Sequence, residues 1–363
     1  MRVPTSPRLR WRDRWERGRP AGARPARLPI SLLLGLVLTG LTSGASTGAP
    51  PETWSNVRSC GHMGGDFTSV VKAEHGLRTV ILKSNRPRNQ VDPGPDGPSR
   101  ARQLTRWSNF EADLLATRLF ALAGLRVPAV EVVRLDPSGS GAALVREIGS
   151  PALAMDFVDA AWARTAVERG RWPGLESADA DGFIALALVD ILAGNADRSD
   201  DNFFISRGPS GRWTPVPIDN NAGFATSLIW TEPNGLVNFV PSYDWPGASV
   251  ECRGAGSIQN IVVREGRYPM VHKNLFLALP LKPRVLAAAR ALADRLTPVL
   301  IDRMVASLPS EVIPSDVVVA TPAGPLAGRA LFSARCAEIR RILAWRAEHL
   351  VAALERLYRQ LEE

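Results

Sequence analysis

Polar and apolar positions alternate with a period of two in two early stretches. These are Thr68-Ser-Val-Val-Lys72 and Leu77-Arg-Thr-Val-Ile-Leu-Lys83, which flank a Glu74-His-Gly76 turn and so read as a β-hairpin. In the second run Val80 and Leu82 point one way while Thr79, Ile81 and Lys83 point the other. The period then lengthens. From Ser108 to Leu122, Glu111, Leu115, Arg118, Leu119 and Leu122 fall on one stripe, which predicts a helix. Ser108 with Glu111 three residues on has the form of a capping box, and Gly124 supplies the stop. Val130 to Leu135, Ala143 to Glu147 and Leu153 to Val158 read as strands. Residues 181–194 form a largely apolar helix, residues 202–206 and 216–218 short strands, and residues 283–307 and 333–361 helices. The Pro-, Gly- and Arg-rich stretch 84–105 reads as an excursion, and the chain is loop-rich after about residue 228. This order predicts an α+β fold of two lobes, a small β-rich lobe with one helix over 61–158 and a larger helical lobe over 159–363, after a linker at 50–60.

Charge alters this picture mainly at the N-terminus. The 363 residues carry a formal net charge of +8, but residues 1–28 hold nine Arg against one Asp and one Glu, leaving the body with a net of +1. A nearly neutral body removes the main support for nucleic-acid binding, and no nucleic-acid partner is expected. Behind the Arg-rich stretch lies an apolar run from Leu28 to Leu41 and then small residues to Ala49. This is the layout of a secretory signal or of an uncleaved signal anchor. Residues 1–49 are therefore assigned to targeting, with membrane association through residues 28–46 as one outcome, and the body is expected to be exported. For an exported chain, the three cysteines permit either one disulfide, with Cys252–Cys336 the preferred pair and Cys60 left over, or three unpaired buried thiols.

Candidate chemistry concentrates in Asp197-Arg198-Ser199-Asp200-Asp201-Asn202 and in Ile218-Asp219-Asn220. Asp197 can accept a hydroxyl proton. Asn202, five residues on, and Asp219, leaving a strand, are hard oxygen ligands for Mg2+ or Mn2+. Asp200 and Asp201 read as solvated loop residues. Asp190, inside the apolar helix, is expected to hydrogen-bond the loop backbone. Lys83 at a strand end can face solvent or reach phosphate oxygens. Glu111, near an apolar stripe, needs a partner when buried, and Lys83 is the expected one. Gly64-Gly65 serves either as a hairpin turn or as an amide cradle for phosphates. Met155, Asp156 and Phe157 are either an ordinary strand end or the edge that meets adenine. The sequence has no phosphate-binding loop of the Gly-x-x-x-x-Gly-Lys-Ser/Thr form.

Leu192-Ala-Gly-Asn-Ala-Asp197-Arg with Asn202, followed by Ile218-Asp-Asn-Asn-Ala-Gly-Phe224, resembles the atypical kinases of the HipA and phosphatidylinositol 3/4-kinase type. Asn109-Phe-Glu111 leading to Ala123-Gly-Leu-Arg-Val-Pro128 is similar to the HipA type as well. The Asp-Asn-x-x-Gly-Phe ending resembles secretory-pathway kinases, in keeping with the export signal. The resemblance spans roughly residues 61–225. It implies a bilobal protein-kinase-like fold, ATP with Mg2+ or Mn2+ as cofactor, and an unidentified hydroxyl-bearing acceptor: protein, lipid or sugar. It further implies Asp197 as base, Asn202 and Asp219 as metal ligands, Lys83 as the phosphate lysine and Glu111 as its partner. Asn220 stands where ordinary protein kinases have Phe-Gly, so their activation-loop control is not implied. A pseudokinase scaffold and a nucleotidyl transferase on the same fold are the alternatives.

Overall fold

The computed structural model describes residues 50–64, 68–87, 107–139, 141–162, 177–195, 198, 202–221, 223–224, 278–321 and 324–362. The first part of the chain builds β1 (Glu52–Trp54), β2 (Arg58–Gly64), β3 (Thr68–His75) and β4 (Arg78–Pro87), then α1 (Phe110–Leu122), β5 (Val130–Leu135), α2 (Gly141–Ile148) and β6 (Ala152–Asp156). The strands form one sheet in the order β1-β5-β6-β4-β3-β2. All neighbours are antiparallel except β1, which runs parallel to β5. Residues 52–54, expected in a linker, are thus an edge strand, and the buried Trp54 explains why. An indole against the sheet gains about 1.5–3 kcal/mol over an exposed one, enough to draw a short segment into the sheet.

The alternation in β4 sets the two faces. Val80 and Leu82 join Trp54, Val71, Val133, Leu144 and Ile148 in an outer apolar cluster. Ile81 and Lys83 are buried on the opposite face. The outer cluster is closed by α2, where a strand was expected at Ala143 to Glu147. Gly141, Leu144 and Ile148 are the buried residues there, spaced three and four apart, so the operative period is helical rather than two. Gly149, at φ +79°, ends the helix.

The second part contains β7 (Ala161–Trp162), α3 (Ala180–Ala193), β8 (Phe203–Arg207), β9 (Trp213–Pro217), α4 (Lys282–Arg295), α5 (Pro298–Ala306), β10 (Val318–Thr321), β11 (Gly324–Ala327) and α6 (Gly328–Glu362). β7, β8 and β9 form a three-stranded antiparallel sheet, and β10 pairs with β11. α3 is buried on nearly every side, as a helix apolar all round must be. It lies in a core that also takes in α1, α4, α5 and α6. The single helix expected over 283–307 is two helices. Thr297 caps the second, accepting from the Leu300 N–H at 3.2 Å, and Pro298 occupies its first turn. The architecture is mixed α+β, sheet-built in its N-terminal part and helical in its C-terminal part.

Cys60 is exposed and Cys336 buried, and both are free thiols, so the expected Cys252–Cys336 bridge does not form at Cys336. Burial pushes the Cys336 thiol up to about 11, which keeps it protonated at neutral pH. Residues 84–87, expected to begin an excursion at 84–105, are the end of β4, while the rest of that stretch, Cys252 and the targeting segment 1–49 lie outside the described residues. Among the described residues no helix is long and apolar enough to cross a membrane.

Candidate functional site

The site is organised by the end of α3. Gly194 takes the left-handed conformation at φ 70° and closes the helix, and Asn195 N–H returns to the Asp190 carbonyl at 2.8 Å. Asp190 is buried inside an apolar helix and needs a cation. It receives one in Arg198, whose Nε and Nη2 meet the two carboxylate oxygens at 2.9 Å each. Burial still raises the Asp190 pKa above the usual carboxylate range, with the Arg198 charge opposing the rise. The same guanidinium donates to the Asn202 carbonyl, to the Ile218 carbonyl at 2.7 Å and to Asn220 Oδ1 at 2.6 Å. Asp190 therefore acts on the loop through the Arg198 side chain as well as through the backbone.

Asn202 and Asp219 are brought together by the β8–β9 hairpin. Phe203 is opposite Pro217 in the register, and Ile218 N–H reaches the Asn202 carbonyl at 3.2 Å. The two oxygen-bearing residues thus flank one hairpin end, with Arg198 bonded to both strands' continuations. Asp197, Asp200 and Asp201 lie outside the described residues, as does Gly65. Gly64 is the last residue of β2.

Lys83 crosses from β4 to this hairpin. Its Nζ lies 2.8 Å from Asp219 Oδ1 and 3.2 Å from Asp113 Oδ2. Burial alone would push the ammonium down; the Asp113 and Asp219 carboxylates overcome it and raise its pKa. The two acids differ. Burial, helped by the nearby Asp219 charge, raises the pKa of Asp113 against the pull of Lys83. Asp219 is also penalised by burial, but the charges of Lys83 and Arg198 hold its carboxyl below the ordinary range. Its side chain is 40% exposed against 6% for Asp113, so Asp219 is the acid of the pair that faces outward. Asp113 also accepts the Asn220 N–H at 2.7 Å through its other oxygen.

Glu111 is not the partner of Lys83. It sits one carboxylate oxygen 2.8 Å from Arg335 Nε, and Trp107 Nε1 donates to the same oxygen at 3.2 Å. Nor does Glu111 cap α1: the cap position is Asn109, without a side-chain cap bond, and Ser108 Oγ is buried without a partner. The first two turns of α1 are buried on every side, so the geometry of the sheet selected Asp113 for Lys83 and left Glu111 to α6.

The expected adenine edge is only partly available. Met155 pairs with both Ile81 and Val130, in mid-sheet. The N–H of Asp156 goes to the Ala129 carbonyl and that of Phe157 to the Thr79 carbonyl, both at 2.9 Å. The Asp156 carboxylate is taken by Arg78 at 2.8 Å, and Lys72 Nζ lies over the Phe157 ring at 4.2 Å. Neither N–H can meet a base without giving up its sheet bond.

Asp113 and Arg335 were not singled out by the pattern, and Arg198, Asn109 and Asn220 stood in its motifs without a structural role. A signal for Arg198 existed: a carboxylate at 190 within an apolar helix requires a cation within reach. For Asp113 and Arg335 there was none.

No family model matches the sequence, and no curated protein does either. Several solved structures are similar to the chain. A Helicobacter pylori proinflammatory kinase, CtkA, is 13% identical, covering 83% of this chain and 99% of the other with a TM-score of 0.36. HipA of Shewanella oneidensis, solved with HipB and operator DNA, is 14% identical, covering 94% and 76%, at 0.40. The Rio2 kinase of Chaetomium thermophilum, solved as an ADP/Mg2+-phosphoaspartate complex, is 17% identical, covering 77% and 83%, at 0.29. At these identities and TM-scores the likenesses carry no argument, and the chemistry has to be read from the side chains of the chain itself.

Proposed function

We propose that the chain is an ATP-dependent phosphotransferase of the atypical-kinase kind, moving the γ-phosphate of metal-ATP to a hydroxyl on a protein, lipid or sugar. The observation that carries this reading is Lys83 held between Asp113 and Asp219, with Asn202 and Asp219 at one hairpin end. The donor set fits a hard cation. Asp219 stays ionised and outward-facing, and Asn202 adds oxygen without adding charge. Bound Mg- or Mn-ATP would supply the transferable phosphoryl group and the cation that neutralises its oxygens. The chain's own part is positioning: Asp219 and Asn202 would hold the cation, and Lys83, oriented by Asp113, would meet phosphate oxygens. Asp197, adjacent to the fixed Arg198, would take the acceptor proton. The Arg-rich and apolar N-terminus supports export of the body, with residues 28–46 as signal or anchor.

The test is a phosphotransfer assay on the full chain and its Asp219→Ala variant, with mass spectrometry of a modified acceptor. Addition of one phosphate by the wild type, lost in the variant, is expected. Addition of a nucleotide would make the protein a nucleotidyl transferase instead. Metal-dependent ATP binding without any transfer would leave a pseudokinase.

A further inference from the structure

The segment that follows Asp219 is pinned at more points than a surface loop needs. Asn220 N–H is on Asp113, Gly223 N–H is on the Asn220 carbonyl at 2.9 Å, and Phe224 N–H is on the Ala193 carbonyl at 2.6 Å. Phe224 is fully buried at φ +51°, a left-handed backbone that a bulky residue keeps only where its surroundings over-determine it. Two further carbonyls of the segment, those of Asn221 and Gly223, accept from one group, Asn109 Nδ2, at 2.9 and 2.5 Å. Asn109 Oδ1 in turn accepts from Arg335 Nη2 at 3.1 Å. A carboxamide with its NH2 on two carbonyls and its oxygen on a guanidinium has one permitted orientation. Arg335 belongs to α6, 224 residues from Glu111, and both side chains of that ion pair are essentially fully buried.

We propose that Arg335 and Asn109 are positioning residues: Arg335 fixes the Asn109 carboxamide, and Asn109 holds Asn221 and Gly223 so that Asp219 keeps its cation-binding placement. What Asp219 binds rests on the phosphotransferase reading; the coupling of α6 to the loop does not. Arg335 needs two donors in different directions, Nε for Glu111 and Nη2 for Asn109, which a lysine does not supply.

Two measurements on the full chain test this. In the first, the double variant Glu111→Met/Arg335→Met replaces the buried ion pair with apolar side chains, an exchange often neutral or favourable for stability. It leaves Asn109 without its orienting donor. Titration calorimetry with ATP, in magnesium and in EDTA, is expected to show the magnesium-dependent part of the affinity down tenfold or more. Metal-free binding should stay within about twofold of the wild type, while the melting temperature falls only by what the unpaired Trp107 N–H and Asn109 carbonyl cost. A purely structural ion pair would leave the magnesium dependence at the wild-type value, and that result overturns the proposal. In the second, native-state hydrogen exchange of the wild type in rising urea follows Gly223, Phe224 and the α6 amides around Arg335. Opening as one unit is expected. Loop amides that open separately from that part of α6 overturn the proposal. This arm needs neither variant nor nucleotide, so a wild type that binds no ATP would count against the phosphotransferase reading alone.

Discussion

The ammonium of Lys83 lies 3.2 Å from the carboxylate of Asp113, two residues beyond the glutamate that the α1 pattern favours. The displacement divides the acids of α1 between two tasks: Asp113 serves β4 and the hairpin, and Glu111 serves α6. Asp113→Asn keeps an acceptor for the Asn220 N–H but removes the charge opposite Lys83. It is expected to cost about 1.5–3 kcal/mol of charge-assisted bonding. Reactivity of Lys83 toward an amine-directed acylating reagent should rise as its pKa falls. Glu111→Gln should lower the melting temperature and leave Lys83 reactivity at the wild-type value. Equal effects of the two substitutions on Lys83 would contradict the division.

The same triangle sets a pH dependence whose sign is fixed. The Lys83 pKa is raised above its ordinary 10.5, so the folded state holds this proton more tightly than the unfolded chain. Its contribution to stability is complete below pH 10.5 and is lost as pH rises through the folded value. Asp219 behaves oppositely, since its folded pKa lies below the ordinary 3.8; its contribution is present above that pH and lost as pH falls through the folded value. Asp113, raised, contributes most when protonated and loses its contribution as pH climbs from 3.8 through its folded value. In Lys83→Met, Asp113 loses its cation and Asp219 keeps only the more distant Arg198 charge, so both folded values move up. That variant should be more stable near pH 5 than near pH 8, while at pH 8 it falls about 3–5 kcal/mol below the wild type. Urea titrations at the two pH values measure this, and a variant with no acid preference would refute it.

Arg198 joins Asp190, the Asn202 and Ile218 carbonyls and Asn220 Oδ1 with a single guanidinium. Arg198→Lys retains the charge for Asp190 but cannot reach acceptors in so many directions. Its expected signature is a moderate loss of stability with loss of most magnesium-dependent ATP affinity. Arg198→Ala, which strands a buried carboxylate, should lose about 3–5 kcal/mol and show both defects. If Arg198→Lys binds magnesium-ATP like the wild type, the guanidinium is a structural counter-ion only.

Much of the frame was legible from periodicity. β5 and α3 fall within a residue or so of their expected limits, because each is a clean run bounded by turn residues. Of the expected site positions, Lys83 touches Asp219, and Asn202 lies across the same hairpin end through its backbone carbonyl. The wiring around them was not legible. Asp113 and Glu111 are two residues apart on a helix buried all round its first turns, so no apolar stripe distinguishes them. Arg335 and Arg346 look like any other residues of an Arg-rich final helix until packing places them at 1–2% exposure. α2 departs from the strand expected there because the five residues Ala143 to Glu147, of mixed polarity, satisfy a period of two as easily as one of 3.6.

Gly194 offers a test of how α6 supports the loop. Its left-handed backbone closes α3, and a Cβ there would come within 2.5 Å of Arg346 Nη1, which donates to the Leu192 carbonyl at 2.9 Å. Arg346 thereby places a cation at the carbonyl end of α3, where the helix dipole favours one. Gly194→Ala adds about 1–2 kcal/mol of backbone strain and also displaces this guanidinium. Arg346→Ala alone removes the cation and leaves a buried carbonyl, a loss of about 1–3 kcal/mol. With the guanidinium gone, the three atoms nearest the Cβ are removed, so the double variant should be less destabilised than the sum of the single losses by about 1 kcal/mol. Urea denaturation of the four proteins measures the coupling. Strict additivity would mean that the two groups do not share the space, and that Arg346 does not shape the end of α3 at Gly194.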